Sequence, residues 1–410
     1  MLKTIISLSA LLLSFGILCL GHGLQNTVLG LRAIYESYPD WIIGTMMSAY
    51  FVGFLFGTKF CGDLIPKVGS IRAFAAFASI ASSISLIHVM FINEGVWILC
   101  RFIYGICISS LYMILESWLN GLSTTKNRGQ ILSLYMIISF MGLSLSQTLV
   151  TLSEPSKYIL FALASILISI SLVPLTLSQV KPPEETDVEL LGFDKLFKIS
   201  PLATLGSFGT GLVLGAFWGL SAAYFFKLGL PPNQVALVIG VTYIGGLIFQ
   251  YPIGFISDQI DRRIAILGTL LISVIVCILI TYQFKIVNEL SLKVILLCFF
   301  FGGFVHTLYS LFIALANDFL KASQVVQAAG GLISINALGS SFGPLLASLL
   351  MTWVGNQGLF WFIAAANSIL LIVAVIQSFA GKEIPEETSE DYIAIPRTST
   401  LVVELDPRQE

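Results

Sequence analysis

Twelve apolar stretches of roughly 20 residues or more follow one another along this chain, near residues 5–30, 40–60, 72–92, 96–120, 129–152, 157–178, 201–227, 233–256, 264–284, 291–317, 326–352 and 358–379. A helix of that length spans a hydrocarbon core of about 30 Å, and a backbone in lipid must satisfy its own hydrogen bonds. The pattern therefore predicts an all-α membrane protein with twelve transmembrane helices. Composition agrees: 56% of the 410 residues are hydrophobic and 11% charged, far from soluble proteins. The first stretch superficially fits a signal peptide. Its apolar character continues to Leu31 with no small-x-small cleavage site, so it reads as the first span. Cys19, Cys61, Cys100, Cys107, Cys277 and Cys298 form no CxxC pair and have no His cluster nearby. They suggest buried thiols, with no metal and no cofactor.

The formal net charge of -2 argues against a nucleic-acid partner. An even number of spans puts both ends on one side. With the N-terminus inside, the inner segments hold fifteen Lys and Arg and the outer ones five, with Arg101 left in the membrane. That asymmetry predicts cytoplasmic termini. The longest internal loop, 179–200, divides the spans six and six. The expected organisation is a bundle over 1–178, a cytoplasmic linker over 179–200, a second bundle over 201–380 and a cytoplasmic tail over 381–410. The linker's second part mixes Leu190, Leu191, Leu196, Phe197 and Ile199 with charges, as a short interfacial helix would. The tail is charged and Pro-containing and reads as mostly unstructured.

The halves echo each other. Gly21-His22-Gly23-Leu24 recurs as Gly209-Thr210-Gly211-Leu212, and Gly53 has a counterpart in Gly245. Gly105, Leu111, Tyr112 and Asn120 match Gly302, Leu308, Tyr309 and Asn317 at one constant offset, which continues to Gly142 and Gly339. A constant offset across two helices indicates internal duplication.

Polarity concentrates on the fourth span, where Arg101, Gly105, Ser109, Tyr112 and Glu116 fall on one narrow helical face. A charge within a spanning helix costs about 2.5–3.5 kcal/mol even on the lenient insertion scale, so such residues face a bundle interior or a wet cavity. Arg101 and Glu116 are fifteen residues apart, roughly 22 Å along a helix, and cannot pair. Glu116 has two open readings: a latch partner for Arg72 or Lys67, or a carboxyl that carries a proton. The first span adds His22, Gln25 and Asn26, and the tenth adds His306, Tyr309, Asn317 and Asp318. Each histidine suits either a structural hydrogen bond between helices or a binding and proton-relay role. Gln147, Trp218 and Tyr243 complete the candidate solute contacts, while Tyr224 suits an interfacial anchor.

The loop after the eighth span reads Gly254-Phe-Ile-Ser-Asp258-Gln-Ile-Asp261-Arg262-Arg263, and the loop after the second holds Gly62, Lys67, Gly69 and Arg72. Both resemble the loop motif of the major facilitator superfamily, although Pro66 stands where the family has its Asp. Arg101 followed by Gly105 resembles that family's arginine motif. Glu116-Ser117-Trp118, Asn127-Arg128-Gly129, Leu308-Tyr309-Ser310 and Ala316-Asn317-Asp318 are similar to the YcaD-like group of bacterial transporters, as is the tail with Ile395-Pro396-Arg397-Thr398. The resemblance implies two six-helix bundles with spans 1, 4, 7 and 10 around a central cavity, in a bacterial inner membrane. Glycines in the loops suit tight turns and close helix approach, and Asp258, Arg262, Arg263 and Asp318 with Lys67 and Arg72 suit a gating latch. The superfamily's drug and proton antiporters carry Gly-xxx-Gly-Pro on the fifth span. Here that position reads Gly142-Leu-Ser-Leu-Ser146-Gln147, and Gly339-Ser-Ser-Phe-Gly343-Pro344 lies on the eleventh, which counts against drug efflux.

These features favour a monomeric secondary transporter for a small polar or amphiphilic solute, coupled to protons through Glu116, His22 and His306. No GxxxxGK[ST] run is present to bind nucleotide, and no nucleophile-base pair suggests an enzyme. Efflux, uncoupled facilitation and a sensor that moves nothing remain open alternatives.

Overall fold

The computed structural model describes residues 2–124, 127–177, 191–286, 290–320, 324–380 and 392–406. Twelve helical segments are long and apolar enough to cross a membrane. The N-terminal half contains α1 (Leu2–Tyr35), α2 (Asp40–Val68), α3 (Ser70–Met90), α4 (Glu94–Leu122), α5 (Arg128–Leu149) and a sixth span broken into α6 (Ile159–Ile170) and α7 (Leu172–Leu177). A short helix, α8 (Phe193–Ile199), precedes the second half: α9 (Pro201–Lys227), α10 (Pro232–Gln259), α11 (Arg262–Ile286), α12 (Leu292–Asn317), α13 (Val325–Val354) and α14 (Gly358–Ala380). The end of the bundle where α7 and α8 lie is the linker end below, and the other is the far end.

Local chemistry sets the helix starts. Asn93, Ser200 and Ser291 lie in extended backbone and accept the amides of Val96, Ala203 and Val294, satisfying donors that have no partner inside the helix. Pro201 follows its cap at a position where a missing N–H costs nothing. Gly69 turns α2 into α3 at φ 90°, a conformation that strains any residue with a Cβ. The α8 helix appears where the linker's amphipathic stretch predicts one, with Leu196 buried and Phe193 and Phe197 exposed. The first part of the linker lies outside the described residues.

The duplication read from the sequence is a duplication of helix crossings. A Cβ on Gly53 would fall 1.9 Å from the Phe102 carbonyl, and one on Gly105 would fall 2.0 Å from that of Tyr50. In the second half, Gly245 meets the Phe299 carbonyl at 2.0 Å and Gly302 meets that of Thr242 at 2.0 Å. The α2–α4 and α10–α12 pairs thus cross backbone to backbone through the same glycines, as small-residue packing in lipid permits. Gly21 and Gly209 likewise seat α6 and α14, and Gly23 and Gly211 seat α5 and α13. Gly339 and Gly343 lie against the carbonyls of Phe208 and Leu212, so that run serves the α9–α13 contact.

Three expectations need correction. Gly62 lies within α2, where a Cβ would meet open space, so it makes no close helix approach. Tyr224 is fully buried against Phe360 and Phe225, because α9 is enclosed by its neighbours along nearly its whole length. The tail is not free chain throughout: residues 392–406 pack into the bundle and end in a 3-10 turn, Thr400–Leu405. Cys19, Cys100, Cys107, Cys277 and Cys298 are buried free thiols, and the side chain of Cys61 lies outside those described.

Candidate functional site

The two bundles meet along α2–α13, α5–α10 and α1–α9. At the far end they are joined closely. Lys227 Nζ lies 2.6 Å from Asp40 Oδ1, Ser48 accepts the amide of Leu345 at 3.1 Å, and a Cβ on Gly30 would touch that of Ala222 at 3.2 Å. Toward the linker end the bundles part around a cavity of about 170 Å³. Its volume lies between the halves, where the charges of the loop motifs do not reach.

One wall comes from the first half. His22 packs beside the rings of Tyr50 and Tyr104, which also meet each other, with its nitrogens 3.4 and 3.3 Å from their hydroxyls, and Tyr112 meets it edge-on. Asn26 receives Arg101 Nη2 at 2.9 Å on its oxygen and donates its amide to the Trp218 carbonyl at 3.0 Å, so one side chain bridges the bundles. The opposite wall is a slab in which Trp218 stacks on Tyr243 at 4.0 Å and 14°, with His306 5.0 Å from the Trp ring. His306 Nδ1 donates to the Gly302 carbonyl at 2.7 Å, which fixes the tautomer and leaves Nε2 without a hydrogen-bond partner among the described residues.

Not every candidate reaches this cavity. Arg101 is 1% exposed and stands behind the wall, its guanidinium 4.4 Å from the Tyr50 ring centre, with Nε and Nη1 unpartnered among the described residues. A delocalised cation over an aromatic face suits this site, and Arg101 reaches the cavity only through Asn26 and Tyr50. Gln25 is fully buried on another face with both amide atoms unpartnered among the described residues. Gln147 is tied up within its own bundle, accepting from Thr27 at 2.9 Å. Tyr309 is buried one layer away. Helical spacing puts all four on polar faces, but neighbouring helices shield those faces.

Glu116 is 0% exposed and lies below the cavity toward the linker end. It accepts the Tyr135 hydroxyl at 2.5 Å and that of Ser399, whereas Lys67 and Arg72 are exposed at the end of α2 and the start of α3. The second loop motif forms a charge cluster within the second bundle: Arg262 lies 3.3 Å from Asp258 and 3.0 Å from Asp318, joining the ends of α10, α11 and α12. Arg263 instead lies over Phe319, its amide accepted by Asp261. These contacts hold helices of one bundle together rather than spanning the two.

Sequence reasoning missed Tyr50, Asn336 and Ser340, which line the cavity from α2 and α13, and it missed the tail. Ile395, Pro396, Arg397 and Thr398 line the cavity from the linker end. Arg397 lies 5.7 Å from the Tyr309 ring centre with no carboxylate within 4.0 Å among the described residues. Burial lowers it to about 10, which leaves it protonated at neutral pH. A signal was present: Ile395, Leu401, Val402, Val403 and Leu405 are too apolar for a solvated tail. The acidic, Pro-bearing run before them masked it.

Two duplicated six-helix bundles, joined at one end and parted around a central aromatic cavity, have the architecture of a membrane transporter. The chain has the major facilitator fold, and its sequence is similar to transporter families along most of its length: the family described as Major Facilitator Superfamily matches residues 203–400, and that described as Sugar (and other) transporter matches residues 25–178. It is similar to the uncharacterized MFS-type transporter YcaD of Escherichia fergusonii, with 26% identity over 368 residues, covering 89% of this chain and 93% of that one. Among solved structures, the nucleoside transporter NupG superposes with a TM-score of 0.74 at 14% identity, covering 92% of this chain and 100% of that one. A bacterial homolog of the human lysosomal transporter Spinster, in an inward-facing and occupied conformation, superposes with a TM-score of 0.73 at 13% identity, covering 94% and 98%. At such identities these two likenesses concern the fold.

Proposed function

We propose that this chain is a proton-coupled secondary transporter that moves a small polar or amphiphilic solute across the bacterial inner membrane, as a monomer with both termini in the cytoplasm. The linker end is then cytoplasmic and the far end periplasmic. One observation carries the reading: the cavity lies between the bundles and pairs the flat Trp218–Tyr243 slab with the imidazoles of His22 and His306 and the amide of Asn26. Such a site stacks an apolar or aromatic body and orients it with a few polar groups. The proton part rests on Glu116, a fully buried carboxyl held by hydroxyl donors toward the linker end. Transfer of a proton there changes the charge of a group that alternating access would expose in turn to each side.

The test is uptake into liposomes by the reconstituted protein, with solutes chosen by a thermal-stabilisation screen at two pH values. Wild type should accumulate its solute when a pH gradient is imposed, whereas Glu116→Gln should lose accumulation and keep counterflow exchange. Unchanged gradient-driven accumulation in Glu116→Gln removes Glu116 from the proton path. Equal wild-type rates with and without the gradient refute coupling.

A further inference from the structure

The segment 392–406 lies in the cleft that a cycle of alternating access must open and close, and it is fastened to both bundles. On the first bundle, the Ser399 hydroxyl donates to Glu116 of α4. On the second, the Tyr392 hydroxyl donates to Gln250 at 2.5 Å, its amide donates to Asp258 at 2.9 Å, and the Ile395 amide meets the Ser310 hydroxyl at 3.3 Å. Val402, Val403 and Leu405 are fully buried, and the 3-10 turn packs on α4, α5 and α13. Gly254 supplies the seat: a Cβ there would fall 2.1 Å from the Tyr392 ring. Two positions of the loop motif, Gly254 and Asp258, therefore receive the tail.

We propose that 392–406 is an intramolecular plug of the transport site, which enters from the linker end, places Arg397 in the cavity and must withdraw before solute can exchange with that side. A segment that bridges both bundles in this conformation alone stabilises it over any state in which the cleft closes. Because it fills the cavity's mouth, solute and plug compete for the same space. The role of the cavity as a solute site rests on the function proposed above, but occupation of the mouth does not, and it can be read without any solute.

The probe is Ala337→Cys, at a small cavity-lining residue, with Cys61→Ser to remove the cysteine whose side chain lies outside those described. A membrane-impermeant maleimide is applied from the linker side to three otherwise full-length proteins: this parent, the parent carrying Gly254→Val, and the parent carrying Gly62→Val. A fourth is truncated after Ala380. The plug predicts slow labelling in the parent and in Gly62→Val, where the added side chain meets open space. It predicts labelling about tenfold faster in Gly254→Val and in the truncated chain. Equal rates in all four, whether fast or slow, overturn it. Gly254→Val keeps the test valid if truncation impairs folding. A labelling contrast with no flux of any solute in liposomes refutes the transporter reading alone, while flux with no contrast refutes the plug alone.

Discussion

The Lys227–Asp40 ion pair is a sensitive point for the equilibrium between conformations, because it connects the end of α9 to the start of α2 across the joined far end. In any state with that end open the two groups separate into water, so the whole interaction is differential between states. Its side chains are 22% and 15% exposed, which places it between a surface pair and a buried one. A charge-assisted bond in that setting contributes about 1–2 kcal/mol. Removing it should raise the far-end-open population roughly 5–30-fold while that population is small. Ala223→Cys, 1% exposed at the α1–α9 seam, reports this population through maleimide labelling from the far side. Lys227→Gln and Asp40→Asn should each raise the labelling rate by that factor, and the double variant by no more than either alone. A change under twofold, or additive effects in the double variant, refutes the assignment of the pair as a far-end clamp.

Gly302→Ala should destabilise the protein by about 1–3 kcal/mol, because its Cβ would fall 2.0 Å from the Thr242 carbonyl, a backbone atom that cannot swing aside. Gly62→Ala, in open helix, should be neutral or slightly stabilising; thermal unfolding in detergent that fails to separate the two contradicts the crossing geometry. Trp218→Ala removes half of the slab stacked on Tyr243 at 4.0 Å and should weaken binding of any solute that stabilises wild type by roughly tenfold, with Trp218→Phe intermediate. An unchanged affinity in a thermal-shift titration means that the slab is not the solute's contact.

The two halves show where sequence reasoning was sound and where it stopped. Gly53 with Gly245 and Gly105 with Gly302 were recognisable as repeats because a backbone crossing accepts no side chain, leaving a fixed residue type at a fixed offset. The cavity was legible in part. His22, Asn26, Tyr112, Trp218, Tyr243 and His306 line it, whereas Gln25, Gln147 and Tyr309 share their helices' polar faces and are covered by neighbours. Periodicity finds a face; it does not say which helix lies against it. Arg101 shows the same limit from the other side, since its main partners are an amide and two aromatic rings.

The sequence by itself determined twelve membrane-spanning helices, their division into two halves and the duplication between those halves. Each follows from rules that act locally or at a constant offset: segment length against bilayer thickness, and glycine wherever two backbones touch. Only the tertiary structure decided the conformation, joined at the far end and parted at the linker end, and the occupant of the opening. The tail's apolar residues have no fixed spacing to the glycine and carboxylates that receive them, because those sites lie on helices more than a hundred residues away in sequence and become one surface only after both bundles have formed.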